Sequence, residues 1–313
     1  MLKFVASRFI QSIVVLLCIL TITFFLMRIA PGSPFTDEKA IPEHAVEAMK
    51  EAYWLDREWY EQLGRYYAKF VTGFQDVPSL KNSGYTVNEI IFGSLPVSMV
   101  IGLGGLLIAL VLGIPLGLIS AARKNTAVDY SLMSIALVGI CLPSFVIGPI
   151  LATLFAIHLN IGPTAGWWNP LTDWFLPSLT LGLFYTGYFA RLTRGGMLET
   201  LNQDYIRTAR AKGLPEWRIL VFHGLKGGLQ PALSFMGPAV AGLIGGSFVV
   251  ETIFALPGLG RVFINAATNR DDPLLMGTVL TYGALILTMN FLVDLAQMAL
   301  NPRLRGAEQP DLN

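Results

Sequence analysis

Between two long apolar runs the chain reads Asp204-Tyr205-Ile206-Arg207-Thr208-Ala209-Arg210-Ala211-Lys212-Gly213-Leu214-Pro215. Asp204 or the nearby Asn202 is a residue type that caps a helix N-terminus, and Gly213 followed by Pro215 ends one. A second helix is predicted from Pro215 to about Lys226. The pattern therefore predicts a short basic helix outside the hydrocarbon, at a membrane surface where another protein can contact it.

The composition is that of a membrane protein. Of the 313 residues, 53% are hydrophobic and 14% are charged, whereas soluble domains carry about 25% charged residues. The net charge of +1 gives no reason to expect a nucleic-acid partner. Cys18 and Cys141 both lie in apolar runs, where a cysteine is usually a small packing residue and not part of a disulfide framework or metal site.

Six apolar runs are long enough to cross the hydrocarbon core, which takes about 20 helical residues. They extend over Phe9–Ile29, Pro96–Ala121, Tyr130–His158, Trp174–Leu192, Leu229–Thr252 and Leu275–Leu300. The first run is too long for a signal-peptide core and is interpreted as an uncleaved transmembrane helix. The sequence predicts an all-α, polytopic membrane protein with six transmembrane helices.

The distribution of basic residues along the chain predicts its orientation, because Lys and Arg concentrate in cytoplasmic loops. The loop from Leu159 to Asp173 has neither. With six spans, one side of the membrane collects Lys3, Arg8, Arg123, Lys124, Arg191, Arg194, Arg207, Arg210, Lys212, Arg218, Lys226, Arg303 and Arg305. That side is predicted to be cytoplasmic, with both termini on it.

These features divide the chain into four parts. We expect an N-terminal transmembrane helix at 1–30, a small helical extracytoplasmic insertion at 31–95, a five-helix core at 96–300 with a cytoplasmic loop at 193–228, and a cytoplasmic tail at 301–313. In the insertion, Pro42–Met49 reads as one helix, with Pro and acidic residues in its first turn. A second helix carries an aromatic face made of Tyr53, Trp54, Leu55, Trp59, Tyr60, Leu63, Tyr66 and Tyr67. This face is either an interfacial anchor or a docking platform for an external partner.

The sequence holds no pattern typical of an enzyme. It has no phosphate-binding loop, no H-E-x-x-H zinc motif and no G-x-S-x-G nucleophile elbow. The three histidines, His44, His158 and His223, fall on different segments and on two sides of the membrane, so they cannot share a metal ion. We therefore expect no catalytic residue, no metal site and no cofactor in this chain.

Polar residues inside the apolar runs are few. Asp294 lies within the sixth run and Glu251 near the outer end of the fifth. Such residues usually face the bundle interior or a water-filled path, and a structural hydrogen bond between helices is the equal alternative for Asp294. Placement alone suggests that a path across the membrane is lined by Tyr185, Tyr188, Asn290 and Asp294.

The segment from Asp204 to Leu214 resembles the coupling loop of bacterial ABC-transporter permeases, in the form found in the oligopeptide and dipeptide permease family. Arg207, Thr208 and Ala209 stand where the general motif has Glu-Ala-Ala, with Gly213 in register, and the missing Glu is similar to the peptide branch. Further stretches resemble the same family: Arg28-Ile29-Ala30-Pro31-Gly32-Ser33-Pro34-Phe35, Leu95-Pro96-Val97-Ser98, Leu142-Pro143-Ser144-Phe145, Ala190-Arg191-Leu192-Thr193-Arg194 and Glu251-Thr252-Ile253-Phe254-Ala255-Leu256-Pro257-Gly258-Leu259-Gly260.

This resemblance implies a pore subunit of an ATP-driven oligopeptide importer in a bacterial inner membrane, working by alternating access. It also implies the partners: a second homologous permease, two cytoplasmic ABC ATPases that bind ATP and Mg, and an extracytoplasmic peptide-binding protein. The implied ATPase-coupling residues are Tyr205, Arg207, Thr208, Ala209, Arg210, Lys212, Gly213 and Leu214. The implied docking residues for the binding protein are Glu251, Pro257, Gly258 and Gly260.

Three alternatives remain open at the level of sequence. The cargo of such an importer is also compatible with dipeptides, nickel or glycosides, because the binding protein usually sets the choice. A channel or carrier that works without an ATPase needs more buried ionisable residues and has no use for the coupling segment. A membrane scaffold that transports nothing is disfavoured by the Pro- and Gly-interrupted spans.

Overall fold

The computed structural model describes residues 2–31, 47, 51, 53–74, 76–159, 165–169 and 172–300. Regular structure in these ranges is helical, apart from one isolated bridge between Pro78 and Thr86. The all-α prediction is therefore confirmed. The predicted helix at Pro42–Met49, except for Glu47, and the tail at 301–313 lie outside the described residues.

The helices follow one another in chain order as α1 (Leu2–Ile29), α2 (Trp59–Val71), α3 (Val87–Ala122), α4 (Ala127–Cys141), α5 (Ser144–Leu151), α6 (Phe175–Thr200), α7 (Asp204–Ala211), α8 (Glu216–Arg218), α9 (Leu225–Gly228), α10 (Gln230–Ile253), α11 (Leu259–Thr268) and α12 (Asp272–Leu300). A π-helical stretch, Ala152–His158, continues α5, and a second, Ile219–Gly224, joins α8 to α9. The chain divides into two compact units, Met1–Pro96 with Gly258–Thr288, and Val97–Pro257 with Met289–Asn313.

Four of the described helices are long and apolar enough to cross a membrane, namely α1, α3, α10 and α12. The pair α4 and α5 counts as a fifth span if the two are taken together. The prediction of six spans is consistent with this result, and the remaining span corresponds to α6. By length and composition alone, α6 does not qualify.

Helix α6 is the central helix of the second unit, and this position explains its low hydropathy. It packs against α4, α5, α9 and α10, so much of its surface meets protein. Its buried hydroxyls find carbonyl partners: Ser178 donates to Ile101 O at 3.1 Å, and Thr186 donates to Gly182 O at 2.8 Å. Small and hydroxyl-bearing residues permit close helix packing in a membrane. A helix covered by other helices does not need the apolar surface that lipid contact requires.

The third predicted span, Tyr130–His158, is divided into two helices. The pair α4 and α5 is bent by 106°. The break falls at Leu142 and Pro143, both of which have extended backbone conformations. A steric clash with the proline ring disfavours the helical region for the residue before a proline, and α4 ends here. The start of α4 is fixed by Thr126, whose side chain accepts a hydrogen bond from Asp129 N.

The first unit is built around a cluster of buried apolar residues from α1, α3, α11 and α12, including Phe24, Val87, Leu259 and Met276. Asp271, at the start of α12, accepts hydrogen bonds from the 79–81 segment that precedes α3. This contact places the end of the predicted insertion beside the turn between α11 and α12. The predicted topology puts both on the outer side of the membrane.

The second unit has its core between α3, α6 and α10, where Ile101, Leu181, Leu243 and Phe254 are buried together. Several glycines of α3 lie directly against α6. A Cβ at Gly117 would collide with the carbonyl oxygen of Ala190, so only glycine permits this approach. These glycines therefore serve close packing between α3 and α6.

Candidate coupling segment and polar path

Helix α7 ends in a Schellman motif, the hydrogen-bonding pattern in which a glycine reverses the chain after the last helical turn. Gly213 has a φ of +76°. Its amide donates to Arg210 O at 2.9 Å, and the Leu214 amide donates to Ala209 O at 3.4 Å. These two bonds satisfy carbonyl groups that otherwise have no partner at a helix end. The prediction that Gly213 ends the helix is confirmed.

The start of α7 differs from the sequence expectation. Neither Asn202 nor Asp204 caps the helix; Gln203 occupies the cap position and makes no side-chain capping bond. Asp204 is the first helical residue, where its negative charge still favours the helix N-terminus. It also lies 3.5 Å from the Arg207 guanidinium, one turn further along.

Helix α7 has one face that packs against the protein and one that faces outward. Ile206 and Ala209 are buried and pack with Ile219, which leads into the following helical segment. The outward face carries Tyr205, Arg207, Thr208, Arg210 and Lys212, all exposed. Of the eight predicted coupling residues, Ala209 therefore acts by packing inside the subunit, and Leu214 packs beside it.

Two further contacts fix α7 to the helical segment 216–228. The Arg210 guanidinium binds the Glu216 carboxylate through two hydrogen bonds of 2.8 Å and 3.4 Å. The Tyr205 hydroxyl donates to His223 O at 3.4 Å. Because exposed ion pairs contribute little, the buried contact of Ile206 and Ala209 with Ile219 is the main attachment. Helix α7 and the segment after it thus form one small packed body.

This body lies directly on the C-terminal part of α6. A Cβ at Gly196 would collide with Gly228 O, and one at Gly228 would collide with the Met197 side chain. Met197 is fully buried. Helix α6 remains helical up to Thr200. Gly196 permits the close contact between α6 and α9.

A charge network joins α6 to the turn between α3 and α4. The Arg194 guanidinium donates two hydrogen bonds to the Asp129 carboxylate, both 2.7 Å long. Asp129 is 1% exposed and also accepts hydrogen bonds from the Ser120 hydroxyl and from Asn125 N, the latter at 2.9 Å. Two predicted cytoplasmic segments are thereby held together, since the turn carries Arg123 and Lys124. The sequence offered no signal for this pairing, because 65 residues separate its partners.

The predicted path residues of the second unit cluster around α10. Tyr188 stacks on Phe235 with ring centroids 5.3 Å apart, and Tyr185 lies beside both. The Tyr185 hydroxyl sits over Gly242, and the Asn290 carboxamide oxygen sits over Gly237. Three of the four predicted path residues therefore contact α10. Asp294 is partly buried.

Glycines decide which side chains can approach α10. Gly237 and Gly242 leave room for Asn290 and Tyr185, because a Cβ at either position would contact those side chains. Phe235 contributes an aromatic ring that the sequence pattern does not separate from ordinary apolar residues.

The predicted docking residues differ in their exposure. Glu251 is fully buried, and its carboxylate accepts a hydrogen bond of 2.7 Å from the Ser98 hydroxyl. Gly258 and Gly260 are buried, whereas Pro257 is exposed. In this conformation only Pro257 of the four is available to another protein. Glu251 therefore makes a hydrogen bond between α10 and α3.

Comparisons with known proteins agree on the type of protein. Residues 113–306 match the family described as a binding-protein-dependent transport system inner membrane component. The chain is 42% identical over 306 residues to the oligopeptide transport system permease protein OppB of Salmonella typhimurium, covering 97% of this chain and 100% of that protein. It is 39% identical to the dipeptide transport system permease protein DppB of Bacillus subtilis, covering 97% and 98%.

A solved structure gives the same fold. The chain superimposes on a chain of the inward-facing MetNI methionine ABC transporter with a TM-score of 0.57 at 15% identity, covering 68% of this chain and 96% of that chain. At that identity the likeness concerns the fold alone. Among the described residues, no group of three or more His, Cys, Asp or Glu side chains is placed to hold a metal ion.

Proposed function

The chain belongs to the family of binding-protein-dependent transport system inner membrane components, and from this membership we propose that it is a pore subunit of an ATP-driven importer for oligopeptides. The proposed oligopeptide cargo is supported by the 42% identity to OppB along nearly the whole chain. The proposal that an ATPase drives transport is supported by α7, which offers an exposed basic face on a packed helical body.

Force applied to α7 has a defined route into the membrane helices. Ile206 and Ala209 pass it to Ile219 and the segment 216–228, because these residues are buried together. Gly228 passes it to α6 through backbone contact at Gly196. Helix α6 also carries Tyr185 and Tyr188. Movement of the cytoplasmic body therefore moves the residues proposed to line the path, as alternating access requires.

The proposed partners are supported by the family to which the chain belongs. Two cytoplasmic ATPases bind ATP and Mg and press on α7 and on the equivalent helix of a second, homologous permease subunit. An extracytoplasmic binding protein delivers the peptide from the other side. The orientation places both termini in the cytoplasm, because the basic residues of α7 and of the α3–α4 turn then face inward. ATP hydrolysis belongs to the ATPase subunits.

The proposed path suits a cargo recognised mainly by its backbone. Tyr185, Tyr188 and Asn290 offer hydroxyl and amide groups, together with the ring of Phe235. These groups are uncharged, so they form hydrogen bonds with peptide groups without selecting the charge of a side chain. Asp294 is the acidic residue of the proposed lining.

ATP-dependent uptake of a labelled oligopeptide into proteoliposomes tests the proposal. The vesicles contain this chain, its co-encoded permease and the ATPases, with the binding protein outside. We expect uptake that requires ATP and the binding protein. Absence of peptide uptake by a complex that still hydrolyses ATP would contradict the peptide cargo, and nickel and glycosides would then be screened.

A matched pair of variants tests the coupling role of α7. Gly213→Leu places a side chain at a left-handed residue, whereas Gly195→Leu places one at an exposed helical residue of α6 with open space around it. We expect Gly213→Leu to keep ATP hydrolysis and lose most uptake, with the control close to wild type. Normal uptake by Gly213→Leu would show that α7 does not transmit the ATPase movement.

Dipeptides are the second candidate cargo, favoured by the 39% identity to DppB. A series of peptides from two to six residues, each supplied at the same concentration, separates the two candidates. Uptake that is greatest for the dipeptide and falls with length would assign the chain to dipeptides. Uptake that is retained or rises with length supports oligopeptides.

A further inference from the structure

A polar cleft in the first unit lies apart from the residues discussed so far. It has a volume of about 230 Å³. Its polar lining consists of the carboxamides of Asn82, Asn265 and Asn269 and the side chains of Lys81 and Asp271, and its apolar wall includes Ile90, Val262 and Leu274. An apolar wall with a few polar groups on its edge is typical of ligand sites.

The carboxamides of α11 are available for a ligand. Asn265 and Asn269 lie four residues apart, so they share one face of the helix. Both are exposed, and neither side chain makes a hydrogen bond to the part of the chain that the structure describes. Each carboxamide offers one acceptor and two donor hydrogens. This set matches the N–H and C=O groups that alternate along an extended peptide.

The opposite wall of the cleft is held in place by Asp271, which is 1% exposed. Its carboxylate accepts hydrogen bonds from the Ser79 hydroxyl and from the amides of Leu80 and Lys81, the latter two at 3.1 Å and 3.2 Å. The Ser79 hydroxyl oxygen in turn accepts the Asn82 carboxamide N–H at 2.9 Å. Asn82 is thereby oriented, and its carboxamide oxygen remains as an acceptor.

Backbone hydrogen bonds also join the two ends of the loop that carries Asn82. Ser79 N donates to Tyr85 O at 3.0 Å, and Val87 N donates to Val77 O at 2.8 Å. Thr86 and Glu89 cap α3 reciprocally, with hydrogen bonds of 2.8 Å and 3.3 Å. The wall is therefore formed before any ligand arrives, which lowers the entropy that binding costs.

We propose that this cleft is a binding site for an extended stretch of peptide main chain, and that it receives the cargo peptide on the outer side of the membrane. The inference rests on the proposed function, since it names a subsite for the same cargo. The carboxamides of Asn265 and Asn269 bind main-chain amides, and the apolar wall accepts one side chain of the peptide. Recognition through main-chain amides makes the site tolerant of peptide sequence.

Photo-crosslinking of the reconstituted complex tests the proposal. The probe is a five-residue peptide with a benzophenone side chain, added without binding protein. We expect labelling of the segments 80–90 and 262–274, and competition by the same peptide without the probe. The double variant Asn265→Leu with Asn269→Leu, which keeps the side-chain size, should need about tenfold more peptide for half-maximal labelling, the loss expected from two net hydrogen bonds. Thr268→Val, exposed on the same helix but outside the cleft, is the matched control.

Several results overturn the assignment. Labelling elsewhere in the chain, or unchanged labelling in the double variant, excludes this cleft as a peptide site. If peptide-free binding protein abolishes labelling and the double variant loses binding-protein attachment, the cleft is a docking site for that protein. A wild-type complex that binds and transports no peptide contradicts the proposed function itself. Normal peptide uptake with no labelling of the cleft contradicts the cleft proposal alone.

Discussion

At Gly213 the backbone conformation, and not the space around it, limits which side chains fit. Its φ of +76° is unfavourable for residues with a Cβ, but no atom of the described residues lies within 4 Å of the position that a Cβ would take there. We expect Gly213→Ala and Gly213→Leu to destabilise α7 alike, by about 1–2 kcal/mol. Gly213→Asn should be milder, because asparagine tolerates this region.

The ratio of ATP hydrolysed to peptide transported measures the effect at Gly213. It should rise equally for the alanine and leucine variants and less for asparagine. A leucine variant much worse than the alanine variant would contradict the strain account. It would point instead to a partner surface packed against Gly213.

At Gly242 the space around the residue, and not its backbone conformation, limits which side chains fit. The Tyr185 hydroxyl occupies the position that a Cβ would take, so Gly242→Ala must displace the tyrosine ring. We expect this variant to lower peptide uptake without lowering the amount of assembled complex. Adding Tyr185→Phe removes the hydroxyl and should restore part of the uptake. Gly245→Ala, with open space on the same helix, is the control.

Uptake rates of these three variants and of the wild type test whether contact between Gly242 and Tyr185 is the cause. If Tyr185→Phe lowers uptake further in the Gly242→Ala background, contact between the two positions is not the cause. An effect of Gly245→Ala as large as that of Gly242→Ala would indicate a general loss of helix flexibility.

Between elements, the strongest polar connection is the pair of Arg194 on α6 and Asp129 on α4. Asp129 is almost completely buried, so removing its partner leaves an uncompensated charge. We expect Arg194→Met to destabilise the subunit by about 3–5 kcal/mol. Arg194→Lys should be intermediate, because lysine cannot form the two parallel hydrogen bonds.

Thermal unfolding of the purified complex in detergent measures this effect. Arg191→Met removes an exposed arginine one turn away and should leave the unfolding temperature unchanged. Adding Asp129→Asn to Arg194→Met should recover part of the loss. Equal stability of Arg194→Met and Arg191→Met would show that the pair contributes nothing to the fold.

The turn before α6 depends on a single carboxylate. Burial raises the pKa of Asp173, but hydrogen bonds from the amides of Asn169 and Trp168 and from the Thr172 hydroxyl outweigh it and hold the pKa below its usual range. A lowered folded-state pKa stabilises the fold above the unfolded-state pKa of about 3.9, and this contribution is lost as the pH falls through the folded value.

Asp173→Asn should therefore lower the unfolding temperature most at neutral pH. The difference from wild type should shrink as the pH falls below about 4. Melting curves of both proteins between pH 3 and pH 7 give this comparison. A difference that stays constant over the range would show that charge on Asp173 does not matter.

For the whole molecule, the proposed orientation puts Lys212 in the cytoplasm and Asn269 outside. In a chain with Cys18→Ala and Cys141→Ala, single Lys212→Cys and Asn269→Cys variants report the side, since both positions are exposed. A membrane-impermeant thiol reagent added to intact cells should label Asn269→Cys only. Labelling of Lys212→Cys without permeabilisation would reverse the orientation.

Local features of this chain were predictable from sequence, and features that depend on distant contacts were not. The end of α7 at Gly213 follows from one residue type, and the apolar runs follow from hydropathy. The pairing of Arg194 with Asp129 and the burial of Glu251 join residues far apart in the chain. The burial of Ala209 depends on Ile219, which lies on a separate helical segment.

The central position of α6 has a consequence for how the protein is made. A nascent helix enters the bilayer from the insertion channel by partitioning into lipid, and α6 lacks the apolar surface for this step on its own. The Ser, Thr and Gly positions of α6 are shielded from lipid only after α3, α4 and α10 surround them. Helix α10 is synthesised last of these three. Insertion of α6 is therefore completed only once a later helix has emerged from the ribosome.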